Sequence, residues 1–178
     1  MANDQQTLGP QTFHFEDDGE TPNNPKLPLV LYRGALDVKA AGDPAAAFEQ
    51  AFAAHGWGDG WRNGIFDFLH FHTRTHEVLA IARGTAKVEF GGAAGAAVEL
   101  QAGDVAILPV GTGHRRLSSS PDLLVVGAYP AESCIDQHRP SQISHDKAVA
   151  DIKGTPLPRQ DPMFGSDGPL KALWKLQP

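Results

Sequence analysis

The chain has 178 residues and a formal net charge of −6, from 15 basic and 21 acidic side chains. This length is enough for one domain with a substantial core. The acidic balance, with no basic stripe, argues against nucleic acid and anionic membranes as partners. The longest apolar runs are too short to span a bilayer.

The N-terminal residues carry neither the charged region nor the apolar region of a signal peptide, so none is expected. Cys134 is the single cysteine and cannot form an internal disulfide, which is typical of a reducing compartment. We therefore expect a cytoplasmic protein. Residues 1–26 are polar and proline-rich, and we expect them to form an arm that is loose or lies along a partner surface.

The first regular elements are a short strand and a helix. Residues 29–32 are apolar and predict a strand. Asp43 is a good N-cap residue, and Pro44 suits the first helical position. Because Gly56 is a natural C-terminal stop, the sequence predicts one strong helix between these signals.

From Trp61 the hydrophobic period changes to two. This alternation predicts a strand over 66–72 in which His70 and His72 share one face. Further strands are predicted at 78–83, 85–90, 96–100, 105–108 and 123–128, with glycines between them. Short strands at this spacing predict a sandwich or barrel. Beyond residue 130 the pattern ends, apart from a weak helix expected around 146–152 and packing anchors at Leu170, Leu173 and Trp174.

Two glycine-punctuated blocks contain the residue types of a metal site. The first block comprises Gly64, His70, His72, Glu77 and Gly84; the second comprises Gly103, Pro109, Gly111 and His114. Three histidines and a carboxylate are a ligand set that suits a borderline divalent metal. On an octahedral ion these four ligands would leave two positions for water or substrate.

The spacing of the ligands places a demand on the backbone. Residues i and i+2 of a strand point the same way, about 7 Å apart, so His70 and His72 can converge on one ion. Glu77 lies five residues after His72, an odd offset that would place it on the opposite face of a straight strand. The chain must therefore bend through 73–76, as at a bulge beside a site. His76 stays an alternative ligand, or a neighbour of the ligands with an acid–base role.

Both blocks resemble the paired motifs of the cupin superfamily, with one departure, Ser118 in place of the usual Asn. Residues 13–19, 161–165 and 168–170 also resemble the YjlB-type cupins. The resemblance implies an all-β fold, a double-stranded β-helix also called the jelly roll or cupin barrel. It implies a single cupin domain over 1–178, with an arm and helix at 1–60, a barrel core at 61–130 and an irregular C-terminal extension at 131–178. It also implies a divalent transition metal (Fe, Mn, Ni or Zn) bound by His70, His72, Glu77 and His114.

Two classes of function stay open. The first is a metal-dependent enzyme acting on a small organic molecule, either a dioxygenase-like oxidoreductase with Fe or Ni, or an isomerase or lyase with Zn or Mn. The second is a non-catalytic cupin that binds a sugar-like ligand or holds a structural or vestigial metal site. We expect a homodimer in either case, because sheet edges need covering and the arm could pair with a partner sheet.

Overall fold

The computed structural model describes residues 9–177, which form two antiparallel sheets and a few helices. The strands are Gln11–Phe13 (β1), Leu29–Tyr32 (β2), Trp57–Asn63 (β3), Glu77–Arg83 (β4), Thr85–Phe90 (β5), Ala96–Gln101 (β6), Val105–Leu108 (β7), His114–Ser119 (β8) and Leu124–Pro130 (β9). The helices are Pro44–Ala54 (α1), His145–Gly154 (α2) and Leu170–Trp174 (α3), with a 3-10 helix at Pro140–Gln142.

The large sheet has six strands in the order β1-β2-β7-β4-β9-β3, and the small sheet has the order β6-β5-β8. One core cluster contains side chains of both sheets, among them Leu79 and Ile81 of β4 and Val88 and Phe90 of β5. It therefore lies between the sheets. The arrangement confirms the predicted all-β jelly-roll fold, since two antiparallel sheets enclose one apolar core.

A second core cluster covers the outer face of the large sheet. Val78 and Ala80 of β4 pack there with Phe48 and Phe52 of α1 and with Trp174 of α3. Successive residues of β4 thus point alternately to the inter-sheet core and to this outer layer, as the pleat of a strand requires. Both faces of β4 are buried, and this explains why its sequence is apolar without alternation.

Helix α1 begins where the sequence predicted. The side chain of Asp43 accepts a hydrogen bond from the backbone N–H of Ala46 at 3.1 Å, and Pro44 is the first helical residue. The cap satisfies one of the N–H groups that have no partner within the helix. Phe48 and Phe52, one turn apart, are buried against the outer face of the large sheet.

The predicted strands at 29–32 and from 78 to 128 are confirmed, with ends that differ by at most two residues. The predicted strand over 66–72 is wrong: this segment makes only isolated bridges, from His70 to His114 and from Phe71 to His138. The strand before it is β3, at 57–63. Sequence reasoning missed β3 because Gly58 and Gly60 interrupt its pattern, and there the pairing with β9 shifts register.

The N-terminal arm belongs to the large sheet of its own chain. Residues 11–13 form β1, which pairs with β2, and β2 pairs in turn with β7. The described part of the arm is therefore not loose, and its strand β1 is one edge of the large sheet. Residues 1–8 of the predicted arm lie outside the described residues.

The C-terminal extension is anchored to the outer face of the large sheet by a buried carboxylate. Asp161 accepts hydrogen bonds from the hydroxyl of Tyr32 and from the backbone N–H groups of Met163, Phe164 and Leu170. The predicted anchors Leu170 and Trp174 are buried there, and α2 confirms the weak helix expected near 146–152.

No helix among residues 9–177 is both long and apolar enough to cross a bilayer.

Candidate metal centre

Three of the predicted ligands converge at one end of the inter-sheet core. One ring nitrogen each of His70, His72 and His114 lies within 4.8 Å of the others, and all three residues are buried. Two backbone hydrogen bonds between His70 and His114, of 2.9 and 3.2 Å, join the first block of the sequence to β8. The structure therefore brings together histidines that are up to 44 positions apart in the sequence and forms a potential metal site.

Glu77 completes the cluster. It is the first residue of β4 and has the parity of Leu79 and Ile81, so its side chain faces the inter-sheet space. Its Oε2 atom lies 3.1 Å from Nε2 of His72 and 3.2 Å from Nε2 of His114. The chain bends at 73–74, ahead of β4, as the odd spacing between His72 and Glu77 demanded.

The other nitrogen of each imidazole is tied to the backbone. Nδ1–H of His70 donates to the carbonyl of Phe68 at 3.0 Å, and Nδ1–H of His114 donates to that of Thr112 at 3.1 Å. Nδ1–H of His72 donates to the carbonyl of Asp136. A ring whose Nδ1 carries the hydrogen presents Nε2 as the free lone pair, which is how most metal-binding histidines are oriented.

Burial and charge set the protonation states in the cluster. Burial lowers the pKa of His70 to about 3, with a further contribution from His114. Burial opposes the charge of Glu77, but the imidazoles of His72 and His114 outweigh it and hold the pKa of Glu77 well below its usual range. Burial opposes the charge of His72, but Glu77 and Asp136 together outweigh it and raise the pKa of His72. The cluster thus favours a carboxylate with a positive charge beside it.

The donor set fits a metal cation. With their Nδ1 hydrogens on backbone carbonyls, neutral His72 and His114 present two acceptor nitrogens to one acceptor oxygen of Glu77. Acceptors at about 3 Å repel one another unless a positive charge, either a proton or a metal ion, lies among them. Imidazole and carboxylate ligands suit Zn, Fe, Ni and Mn, so the chemistry of the donors does not select one metal.

His76, the alternative ligand, points the opposite way. Its ring lies 4.9 Å from that of Trp174 in the outer layer. Nδ1 of His76 accepts from the backbone N–H of Val110 at 3.0 Å, and Nε2–H donates to the carbonyl of Pro156 at 3.1 Å. Burial lowers the pKa of His76 to about 4. Both ring nitrogens are therefore bonded to backbone groups away from the cluster.

A cavity of about 230 Å³ opens beside the cluster. Its walls include His70, Glu77 and His114, the apolar or aromatic residues Trp61, Ile65, Phe66 and Leu79, and the polar residues Asn63, Tyr129 and Gln137. Sequence reasoning missed Tyr129 and Gln137. Tyr129 sits at the end of an apolar strand, and Gln137 lies in the irregular extension, so neither position carries a pattern.

Tyr129 links the wall of the cavity to Glu77. Its hydroxyl oxygen accepts a hydrogen bond from Nε1–H of Trp61 at 3.0 Å. Burial, followed by the nearby charge of Glu77, raises the pKa of Tyr129 well above its ordinary value. The phenol therefore keeps its hydrogen, and it is a neutral donor in the cavity wall.

No protein-family model matches the chain. The chain is 42% identical over 164 residues to the Bacillus subtilis protein named "Uncharacterized protein YjlB". The match covers 92% of this chain and 96% of that protein. Among solved structures, the Bacillus anthracis acireductone dioxygenase with cadmium in its active centre is 19% identical, with a TM-score of 0.37 over 52% of this chain and 63% of that one. A mutant of Bacillus subtilis oxalate decarboxylase is 23% identical, with a TM-score of 0.34 over 45% of this chain and 22% of that one. On the strength of the YjlB match, the chain belongs to the YjlB family.

Proposed function

We propose that the chain binds one divalent transition metal through His70, His72, Glu77 and His114 and acts at that metal on a small organic molecule. The observation that supports the proposal most directly is the orientation of the imidazoles. Two Nε2 atoms face the same carboxylate oxygen while each Nδ1 is bonded to a backbone carbonyl. Either a proton or a metal ion can separate these acceptor atoms, and four ligands of these types suit a metal.

The cavity supports a role beyond a purely structural metal. Glu77, His70 and His114 all border it, so a molecule in the cavity would lie next to the metal ligands. A metal bound here would supply Lewis-acid or redox chemistry to that molecule. The apolar wall would exclude water and hold the apolar part of such a molecule.

The metal-binding part of the proposal is tested by elemental analysis of protein purified without chelator. We expect about one equivalent of metal per chain in the wild type and in His14→Ala, which removes an exposed histidine. We expect His72→Ala and His114→Ala to retain little metal while staying folded by circular dichroism. Undiminished metal in either of these two variants would show that the ligand assignment is wrong.

The nature of the bound ion separates the open classes of activity. Iron or nickel would direct assays to dioxygenase-like oxidation, and zinc or manganese to isomerase or lyase reactions. A metal that is present but that no small molecule perturbs would favour a structural metal site over an enzyme or a ligand-binding cupin. Its spectrum, recorded with and without candidate ligands, is the measurement that decides between catalytic and structural roles.

We also propose a homodimer that assembles through a sheet edge. Strand β1 is an edge of the large sheet and β6 is an edge of the small sheet, and a sheet edge is a ready site for pairing with a second copy. Light scattering at micromolar concentration tests this assembly. A monomer mass over the whole concentration range would exclude it.

A further inference from the structure

A short segment of the C-terminal extension contacts the ligand-bearing part of the chain. This clamp segment, residues 136–138, lies outside the barrel strands and was assigned no role by the sequence. His138 and Phe71 exchange two backbone hydrogen bonds, each of 2.9 Å. Phe71 is the residue between His70 and His72, so the clamp segment pairs directly with the backbone that carries both ligands.

Asp136 contributes most of the remaining contacts. Its backbone carbonyl accepts the Nδ1 hydrogen of His72. Its carboxylate accepts from the backbone N–H groups of Thr73 and Arg74, each at 3.1 Å, and from the hydroxyl of Thr73 at 2.6 Å. The ring of His138 lies 2.9 Å from the same carboxylate. Asp136 therefore holds one ligand ring and the first two residues of the bend at 73–76.

The bend decides which side chain enters the metal cluster. Because β4 alternates, Glu77 faces the cluster only while His76 faces the outer layer, and a shift of one residue in the bend would exchange them. The N–H groups of Thr73 and Arg74 are at the start of that bend. A buried turn needs partners for such donors, and here one carboxylate supplies them.

We propose that Asp136 is a positioning residue of the metal centre. It fixes the orientation of the His72 ring through its carbonyl and the register of Glu77 through its carboxylate. The inference rests on the proposed metal-binding function and extends it to a part of the chain outside the paired motifs. Changes to groups that orient metal ligands typically weaken metal binding by about 10–100-fold.

The test compares two Asp→Asn variants. Asp136→Asn keeps the size of the side chain but places an NH₂ group among donors. Asp104→Asn is the matched control, because Asp104 likewise accepts from two backbone N–H groups, those of Gly34 and Gln101, and from Arg33, and none of these touches the metal cluster. Zn²⁺ affinity is measured by competition with a chromophoric chelator, and the absorption spectrum of bound Co²⁺ reports ligand geometry.

We expect about 10–100-fold weaker Zn²⁺ binding and an altered Co²⁺ spectrum for Asp136→Asn, with both properties unchanged for Asp104→Asn at a comparable loss of thermal stability. If Asp136→Asn fails to fold, Thr73→Val removes only one donor to the carboxylate; it should weaken binding less, and Thr73→Ser should restore it. Equal affinity in wild type and Asp136→Asn, or equal weakening in Asp104→Asn, overturns the inference. If the wild type binds no Zn²⁺ or Co²⁺, the proposed metal site itself fails, which is a different result.

Discussion

His76 and Glu77 are neighbouring buried residues at the start of β4, and their side chains point to opposite faces of the large sheet. On the outer face, both ring nitrogens of His76 are bonded to backbone groups, at Val110 and Pro156. On the inner face, His72 and His114 each give one nitrogen to a backbone carbonyl and direct the other at Glu77. The outer histidine is saturated by the protein, whereas each inner one keeps a nitrogen for a cation.

This difference shows what distinguishes a packing histidine from a candidate ligand. Burial does not distinguish them, because His76 is as buried as His70, His72 and His114. The distinguishing property is the number of ring nitrogens that are hydrogen-bonded to backbone groups. Substitutions on the inner face should therefore lower metal affinity, and substitutions on the outer face should lower the free energy of unfolding.

Removing the carboxylate from the inner face should have the largest effect. Glu77→Gln replaces an anion by a neutral amide beside two imidazoles. Changes to residues that only orient metal ligands lower affinity by up to about 100-fold, and we expect Zn²⁺ affinity to fall by more than that here. Glu49→Gln is the control, since Glu49 of α1 pairs with Arg62 of β3 outside the cluster. Chelator competition measures both variants. A change smaller than twofold for Glu77→Gln would remove Glu77 from the site.

Truncating the histidine on the outer face should lower stability and leave metal binding unchanged. His76→Ala leaves the backbone N–H of Val110 without its acceptor and opens space beside Trp174. We expect a loss of about 1–3 kcal/mol in the free energy of unfolding for the hydrogen bond alone. Metal content should be that of the wild type. Urea unfolding measures the stability, and elemental analysis measures the metal content. A His76→Ala variant that lost metal but kept its stability would contradict the distinction between the two faces.

The stability of the metal-free protein should fall in mild acid. The folded-state pKa of His76 is about 4, below its ordinary value of 6.5, so its neutral ring stabilises the fold above pH 6.5. As the pH falls from 6.5 towards 4, the unfolded chain binds the proton first, and this contribution is lost. The maximum slope for one proton is about 1.4 kcal/mol per pH unit.

Urea unfolding with chelator between pH 7.5 and pH 4.5 measures this slope. His76→Gln should show a shallower dependence than the wild type, because its side chain does not titrate. Identical slopes for wild type and His76→Gln would show that His76 does not contribute.

The smallest effect is expected where α1 begins to cover the outer face. Asp43→Ala removes the N-cap hydrogen bond to Ala46 and should cost about 1 kcal/mol. Asp43→Asn retains a capping oxygen and should cost only a fraction of that. Thermal unfolding measures both, with metal content unchanged. A loss of metal in Asp43→Ala would mean that the two faces are not independent.

Regular patterns were predictable wherever local chemistry decides the structure. The capped helix and six of the strands follow from apolar runs bounded by Asp43, Pro44 and glycines. The prediction failed at 66–72 and at β3. Residues 66–72 alternate as a strand does, but His70 and Phe71 bridge to two separate segments, and only tertiary contacts show this.

The candidate site divides in the same way. The residue types and spacings of His70, His72, Glu77 and His114 stand out in the sequence, and the need for a bend follows from strand parity alone. Asp136 does not stand out, because it lies in a segment without periodicity and acts through contacts about 60 residues away in sequence. Tyr129 likewise reads as the end of an apolar strand.

The sequence by itself determined the capped helix, six of the strands, the family and the set of histidines around which a site is expected, since these depend on residue type and spacing. Only the tertiary structure decided that Glu77 faces the histidines and His76 faces Trp174. That choice depends on where the chain bends. The bend is held by a carboxylate from the C-terminal extension, and no local pattern around 73–76 reveals this contact.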